Sequence, residues 1–594
     1  IRIKTSEGFK DSLKTGKRIA GAEFCAPIDS MYGHVSHMAE TCDYVFMPVY
    51  LESRKSPGLN DQNYCYYTQY SASLAFLQGE ETKKKLISPM LNFSKNGNGN
   101  SKTLLKELKR VGFDHLSLSD VSMALEKAGT GAEKFKGEME SLFRNIFDGK
   151  NDVSVVLLGR PYVVLSDTLN KGIPEIFSGM GVSAFYQEML EVDDRKDEAF
   201  NKLLKKVPWH FAANIMRAAE VVCRTPKLYP VLVTAFKCAP DSFILEYFKQ
   251  VMNLYGKPYL VIQIDEHDSN TGYETRIEAA LRSFRNHASS GKQVGHPDLS
   301  SLLPRVDTEI EGKTLLLPNW DMYVSPLIEA NLRRGGYDAR LLESSELGIR
   351  KSMVHNTGQC LPINVIAQDY IDYIEKHKLD PSSCILWMME SKGTCNIRQY
   401  PFYIKRILEN YGHGLEKAAV YSGELTHREM SLSITYYGYF AYMLGGLFRK
   451  VACRIRPYEL NHGQCDEVNE EVHAILVDAL GGRRSIDGAI KEGVRMFEEI
   501  EYDKKARKPM VAIFGDLYVR DNDIMNQDLV RSIEEAGGEA LLTPYNDYAK
   551  LSIENIFRRA IQRGEVVTTG MNRIILNLLK FMDERYYKAF AGIL

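Results

Sequence analysis

The chain has 594 residues, 44% of them hydrophobic and 26% charged, and a net charge of −2. That length exceeds one hydrophobic core and implies about three to five domain-sized units. The near-neutral balance argues against a nucleic-acid backbone or an anionic membrane surface as partner, no apolar run is long enough to cross a bilayer, and the polar opening has no signal-peptide core.

In chain order, short β-branched runs alternate with amphipathic helical stretches. Strands are expected at 44–49, 153–158, 230–235, 259–264, 314–317, 385–389, 451–455 and 510–514, and helical periodicity lies between them, for example at 211–223 and 279–286. Continuous apolar strands alternating with helices predict an α/β fold of Rossmann- or flavodoxin-like parallel-sheet units. The stretch 96–102, NGNGNSK, reads as a surface loop, and 287–312, rich in Ser, Gly, Pro and His, as a linker. His34 and His37 are expected on a helix face.

Three motifs recur in the same order. Cys25-Ala-Pro-Ile returns as Cys360-Leu-Pro-Ile, Cys65-Tyr-Tyr-Thr-Gln-Tyr as Cys395-Asn-Ile-Arg-Gln-Tyr, and Gly159-Arg-Pro-Tyr162 as Gly515-Asp-Leu-Tyr518. The chain therefore reads as two homologous halves. Each comprises a cysteine-bearing unit and a second α/β unit: 1–150 and 151–290, then 312–505 and 506–594, the last incomplete.

Ten cysteines are too few for a disulfide scaffold, and a cytoplasmic protein with reduced thiols is expected. Cys25, Cys238 and Cys360 share the pattern Cys-x-Pro before a helical stretch. Proline two residues on suits a first helical turn, which places these thiols at strand-to-helix turns on the carboxyl edge of a sheet. A helix N-terminus there favours a thiolate. Cys65 and Cys395 read as loop residues a little past a strand. A lone cysteine is usually a small buried hydrophobe, but five at repeated turns point to ligands. Zinc sites use close Cys-x2–4-Cys pairs, absent here; single ligands drawn from separate turns fit an iron–sulfur cubane.

Cys42 precedes a strand, Cys223 lies on an apolar helix face, Cys384 and Cys453 fall in strand runs, and Cys465 is a weaker ligand candidate. Arg160 and Tyr162 serve either a ligand or a structural turn, as do Asn170, Lys171 and Gly172. Asp265-Glu266-His267 reads as a cap or a proton-transfer group. Gly312-Lys-Thr314 lacks the upstream glycine of a P-loop and reads as a turn.

The stretches FCAPIDSMYGHV, LLGRPYVVLSDTLNKGIPE, AFKCAPDSF, GQCLPINV, GTCNIRQY and FGDLYVRDND, in this order, resemble the 2-hydroxyacyl-CoA dehydratase and benzoyl-CoA reductase group. The similarity is greatest to the large acyl-CoA dehydratase activase-related proteins, relatives of the double-cubane cluster proteins. The resemblance spans nearly the whole chain. It implies oxygen-sensitive clusters, 4Fe-4S or fused 8Fe-9S, on Cys25, Cys65 and Cys238 in one half and on Cys360 and Cys395 in the other. It also implies reduction by an ATP-dependent activase, in cis or in trans, with ATP bound only there. Lys237 stands where the family has Gly, and Thr394-Cys395-Asn396 departs from its Pro-Cys-Arg. The favoured expectation is low-potential electron transfer; an acyl-CoA dehydratase or reductase binding substrate at an open iron, and a cluster-free scaffold docking an activase, are the alternatives. Dimerisation is left open.

Both ends read as cut from a longer chain. Cys238 follows Gly159 by 79 residues, and the same spacing from Gly515 falls on residue 594. A third Cys-x-Pro turn is therefore expected within some tens of residues beyond Leu594, and the second thiol site is expected to be empty or unstable without it. The longer reading frame checks this: a frame lacking such a cysteine removes the six-thiolate arrangement.

Overall fold

The computed structural model describes residues 2–53, 63–93, 98–149, 152–192, 197–264, 271–291, 295, 297–355, 360–389, 395–423, 430–503, 505–563 and 566–594. Asp265, Glu266 and His267 lie outside the described residues. The chain divides into two compact units, Ile1–Leu303 and Pro304–Leu594.

In the first unit, helices Ser12–Ile19 and Ala26–Thr41 cross through two glycines. A Cβ on Gly16 would run into the Asp29 carbonyl, and one on Gly33 into the Ser12 carbonyl. Backbone-to-backbone packing of this kind fixes the entry of the second helix, and with it Cys25. Two short parallel pairs follow: β1 (Val45–Phe46) with β3 (Leu86–Ile87), and β2 (Val49–Tyr50) with β4 (Met90–Leu91). The stretch 44–49 expected as one strand is split at Met47-Pro48, because proline brings no donor to a ladder, while Met47 N still donates to the Ile87 carbonyl.

The four-stranded parallel sheet of this unit is built from β5 (Ser154–Leu158), β6 (Ser183–Tyr186), β7 (Leu228–Ala235) and β8 (Leu260–Ile264), in the order β6-β5-β7-β8. Every residue of β5 and β7 is buried, as a parallel sheet covered on both faces requires. Val155, Leu157, Val231 and Val233 pack with Phe177 and Phe284 from helices Ile173–Gly179 and Thr271–Ser289. Helices His210–Arg224 and Ala239–Leu254 pack against each other, the first also against β7 and β5. Pro230 is tolerated within β7 because pairing with β8 begins one residue later, at Val231 opposite Leu260.

The second unit opens with another parallel sheet, from β9 (Thr314–Leu317), β10 (Ala339–Leu341), β11 (Cys384–Met389) and β12 (Ala419–Gly423), ordered β10-β9-β11-β12. A parallel pair, β13 (Met510–Ile513) and β14 (Glu539–Leu542), follows the long helices Leu432–Ile455 and Gln464–Leu480. The architecture is α/β with parallel sheets throughout. From the first Cys-x-Pro helix onward, elements recur in the same order in both units; the second unit adds β9 and β10 ahead of them.

Three expectations need correction. The run 451–455 is the last turns of helix Leu432–Ile455, not a strand; a short apolar run cannot be told from a buried helix by periodicity, so Cys453 is a helical core residue. Helix Asn98–Arg110 begins inside the stretch expected as a loop, since the lysines and leucines that follow Ser101 carry helical spacing back over it. Helix Thr271–Ser289 and the turn Leu299–Leu302 enter the expected linker. No helix among the described residues is long and apolar enough to cross a membrane.

Gly33→Ala is expected to lower the first unfolding midpoint by an overpacking cost of about 1–3 kcal/mol. Amide exchange within 12–41 should quicken first, as measured by hydrogen–deuterium exchange mass spectrometry.

Candidate functional site

Sheet order β6-β5-β7-β8 reverses direction between β5 and β7, the switch point at whose carboxyl ends parallel α/β sheets bind ligands. Arg160 leaves β5 there, and Cys238 leaves β7. Both cysteines of the Cys-x-Pro type in this unit precede a helix in extended backbone, Cys25 ahead of Ala26–Thr41 and Cys238 ahead of Ala239–Leu254, with proline in the first turn. Cys65 does the same ahead of the short helix Tyr66–Gln69. It lies in a loop, as expected, and that loop leads directly into the helix.

Side-chain contacts gather the three turns. Lys237, next to Cys238, reaches Glu23, two residues before Cys25, with Nζ 3.0 Å from Oε2. Phe24 meets Tyr67 edge-on at 5.6 Å between ring centroids, joining the Cys25 and Cys65 turns. The Cys65 segment is strapped to the start of helix His210–Arg224: Asn63 N donates to the Pro208 carbonyl at 3.1 Å, and His210 N to the Asn63 carbonyl at 2.8 Å. From that helix Phe211 contacts Tyr162 at 5.6 Å and lies under the Arg160 guanidinium at 5.8 Å.

Arg160 sits at the centre, 3% exposed. Its Nε and Nη2 donate to Asp241 Oδ1 at 3.1 and 2.8 Å, and Asp241 Oδ2 accepts from Thr234 Oγ1 at 2.9 Å. Nη1 meets Tyr162 Oη at 3.1 Å. Burial pushes the Cys25 thiol up to about 11; the nearby Cys65 adds to the rise and the Arg160 charge works against it. Burial likewise raises Cys238, opposed most by Arg160. Tyr162 is raised by burial, with Arg160 opposing and Cys65 and Cys238 adding. All three thiols therefore lie within electrostatic reach of one buried cluster of side chains.

In the second unit Cys360 leads helix Leu361–His377, and Cys395 leads the turn Asn396–Gln399 and helix Tyr400–Tyr411. Cys360 Sγ and Tyr400 Oη lie 3.3 Å apart. Cys360 is pushed up to about 11 by burial, with Asp516 and Cys395 adding to the rise and the Tyr400 hydroxyl opposing it. Asp516, after β13, occupies the turn position that Arg160 holds after β5.

The five candidate thiols are all half-buried, whereas Cys223, Cys384, Cys453 and Cys465 are buried. Cys465 belongs to the core of the second unit, with Sγ 3.7 Å from the Ala452 carbonyl. His37 stacks on Phe9 at 4.3 Å. Asn170 spends its amide on the turn: Nδ2 donates to the Val164 carbonyl and Oδ1 accepts from Gly172 N. Lys237, where the resembled family has Gly, adopts a φ of +66°, a left-handed conformation glycine enters without strain. Asp241 and Asp516 escaped the sequence reading; Asp516 was visible only as the mismatch in the Gly-x-x-Tyr repeat. Among the described residues no group of three or more His, Cys, Asp or Glu side chains is gathered so as to hold a metal ion.

Residues 1–190 match a family model described as CoA enzyme activase uncharacterised domain (DUF2229). This makes the first third of the chain similar to a domain associated with CoA enzyme activases. No curated protein and no solved structure gives a significant match.

With few thiolates present at neutral pH, Cys25 and Cys360 of metal-free protein should alkylate roughly a hundredfold more slowly at pH 8 than an ordinary exposed cysteine. The rate should climb about tenfold per pH unit until pH approaches 11, where these thiols ionise. Timed iodoacetamide labelling read by peptide mass spectrometry checks both.

Proposed function

We propose that the first unit holds an iron–sulfur cluster on Cys25, Cys65 and Cys238, and that the protein transfers low-potential electrons under the drive of an ATP-dependent activase, in cis or as a partner. The observation that carries this reading is the gathering of three cysteine turns around Arg160 at the sheet's switch point. The donor set fits: three soft thiols, two of them ahead of sixteen-residue helices, beside a buried guanidinium that offsets anionic charge. A cubane spreads its thiolates roughly 6–7 Å apart, wider than a single ion does, so the lack of a tight three-residue group bears on a mononuclear ion.

The cluster when bound would supply a one-electron centre reaching down to roughly −700 mV, where coupling to ATP becomes useful. The chain's own residues prepare that environment. Arg160 favours the thiolate forms, and Asp241 with Tyr162 holds its guanidinium in place. Phe24 with Tyr67 ties the turns that carry Cys25 and Cys65, and Phe211 backs Tyr162 and Arg160. The match to a CoA enzyme activase domain supports the activase relation, and it is also the one observation favouring an acyl-CoA thioester as ligand at the same place.

An anaerobic preparation should be brown and carry iron and acid-labile sulfide. Replacing Cys25, Cys65 or Cys238 with Ala should remove the iron of one cubane, about four per chain, with the circular dichroism spectrum kept. A colourless, iron-free anaerobic protein would rule this reading out in favour of a scaffold that docks the activase.

A further inference from the structure

The longest helix of the first unit is scarcely covered. Leu118–Ile146 runs for 29 residues, starts on a capping box between Ser117 and Asp120, and buries only Val121. It packs on helix Asn98–Arg110 and on the turn Gln187–Met189, and towards its end Phe143 meets Phe185 of β6 edge-on at 4.9 Å. The middle of the helix is open. Residues 130–138 are all exposed, with Phe135 at 61%.

Its apolar residues follow a rule. Leu125, Ala128, Ala132, Phe135, Met139 and Leu142 succeed one another at spacings of three and four in strict alternation, and Val121 and Ile146 continue the series at either end. A heptad stripe unbroken over more than three heptads is the seam of a coiled coil. Long helices in water draw most of their stability from packing such a face. The need is greater here, because Gly129, Gly131 and Gly137 lie inside the helix, and each weakens it relative to Ala. A Cβ on Gly131 or Gly137 would meet open space, so nothing within the chain requires glycine there.

We propose that this face pairs with the same helix of a second copy of the chain, in antiparallel orientation. Core sizes select the orientation. An antiparallel pair sets the two seam positions of the heptad against each other, so Leu125 faces Leu142, Ala128 faces Met139 and Ala132 faces Phe135 of the second copy, and symmetry repeats each layer. Small then meets large in four of the six layers, as close packing of a core requires. A parallel pair sets every residue against its own twin, leaving a void between alanines and crowding the two Phe135 rings. The flanking positions agree with the antiparallel register. Lys136 comes opposite Gly129 and Glu138 opposite Gly131, so no like charges meet, and the glycines leave room for the long side chains to lie across them. The stripe is thus complementary to itself in size and in charge, which makes a second copy its occupant. The proposal is independent of the cluster reading.

The test uses the full chain. At micromolar concentration it should sediment at twice its mass of 67.5 kDa. Phe135 is exposed in the single chain, so Phe135→Glu leaves the fold in place and puts a charge at the middle of the seam; dimerisation should weaken at least about a hundredfold. A second measurement does not depend on that variant. Leu125 and Leu142 stand about 25 Å apart along one helix, too far to bridge within a chain. Oxidising Leu125→Cys/Leu142→Cys with copper phenanthroline should give a covalent dimer on a non-reducing gel, with peptide mass spectrometry joining position 125 to position 142. Each single variant should form no bridge at its new cysteine. A monomeric unaltered chain overturns the proposal. So does a dimer that Phe135→Glu leaves intact, or a bridge from 125 to 125 in the single variant, which marks parallel pairing.

Discussion

The Arg160–Asp241 ion pair is the interaction on which the first site depends. A charge taken out of water is costly, and a buried pair is retained only where geometry and further hydrogen bonds offset that cost. Here the guanidinium is bonded through Nε and Nη2 to one carboxylate oxygen, Thr234 occupies the other, and Tyr162 meets Nη1. Those partners come from the turn after β5, from β7 and from the first turn of helix Ala239–Leu254. The pair therefore locks the end of one strand to the start of the helix led by Cys238. It also leaves a fixed positive charge beside the thiols.

Close backbone approach does the rest of the positioning. Gly159 ends β5 where a Cβ would meet the Val233 carbonyl at 2.5 Å, so the strand can run directly against β7 before turning into Arg160. Gly16 and Gly33 play the same part for the helix behind Cys25. Around this frame, aromatic contacts join turns that lie far apart in sequence: Phe24 to Tyr67, and Phe211 to both Tyr162 and Arg160. Each contact is modest, in the range of about 0.5–1.5 kcal/mol for an aromatic pair, but together they restrict the loops that carry cysteines.

The second unit solves a similar problem with different charges. Among its buried cations is Arg449, 5% exposed, on helix Leu432–Ile455, paired with Asp321 at 3.2 Å and Asp523 at 2.8 Å. That cluster joins the loop after β9 to the segment after β13 away from the thiol pair. Asp516, in the turn after β13, works electrostatically against ionisation of Cys360 and Cys395. The same place in the Gly-x-x-Tyr repeat thus carries Arg160 in the first unit and Asp516 in the second, groups of opposite charge.

The sequence by itself determined the α/β class, the parallel strands β5, β7, β8, β9, β11 and β13, and the five cysteines at turns. Those features are local: a continuous apolar run between turn residues, and a proline two positions after a thiol, carry their own periodicity and backbone restriction. The strands β6, β10, β12 and β14 were not legible, because Ala, Ser, Gly or a charged residue interrupts their apolar runs. The run 451–455 was misread because a buried helix can be apolar all round. Only the tertiary structure decided that Arg160 pairs with Asp241, 81 residues away, that Lys237 reaches Glu23, and that Asp516 works electrostatically on Cys360 and Cys395. These are long-range meetings of charged groups, fixed by how sheets and helices pack, and no local spacing records them.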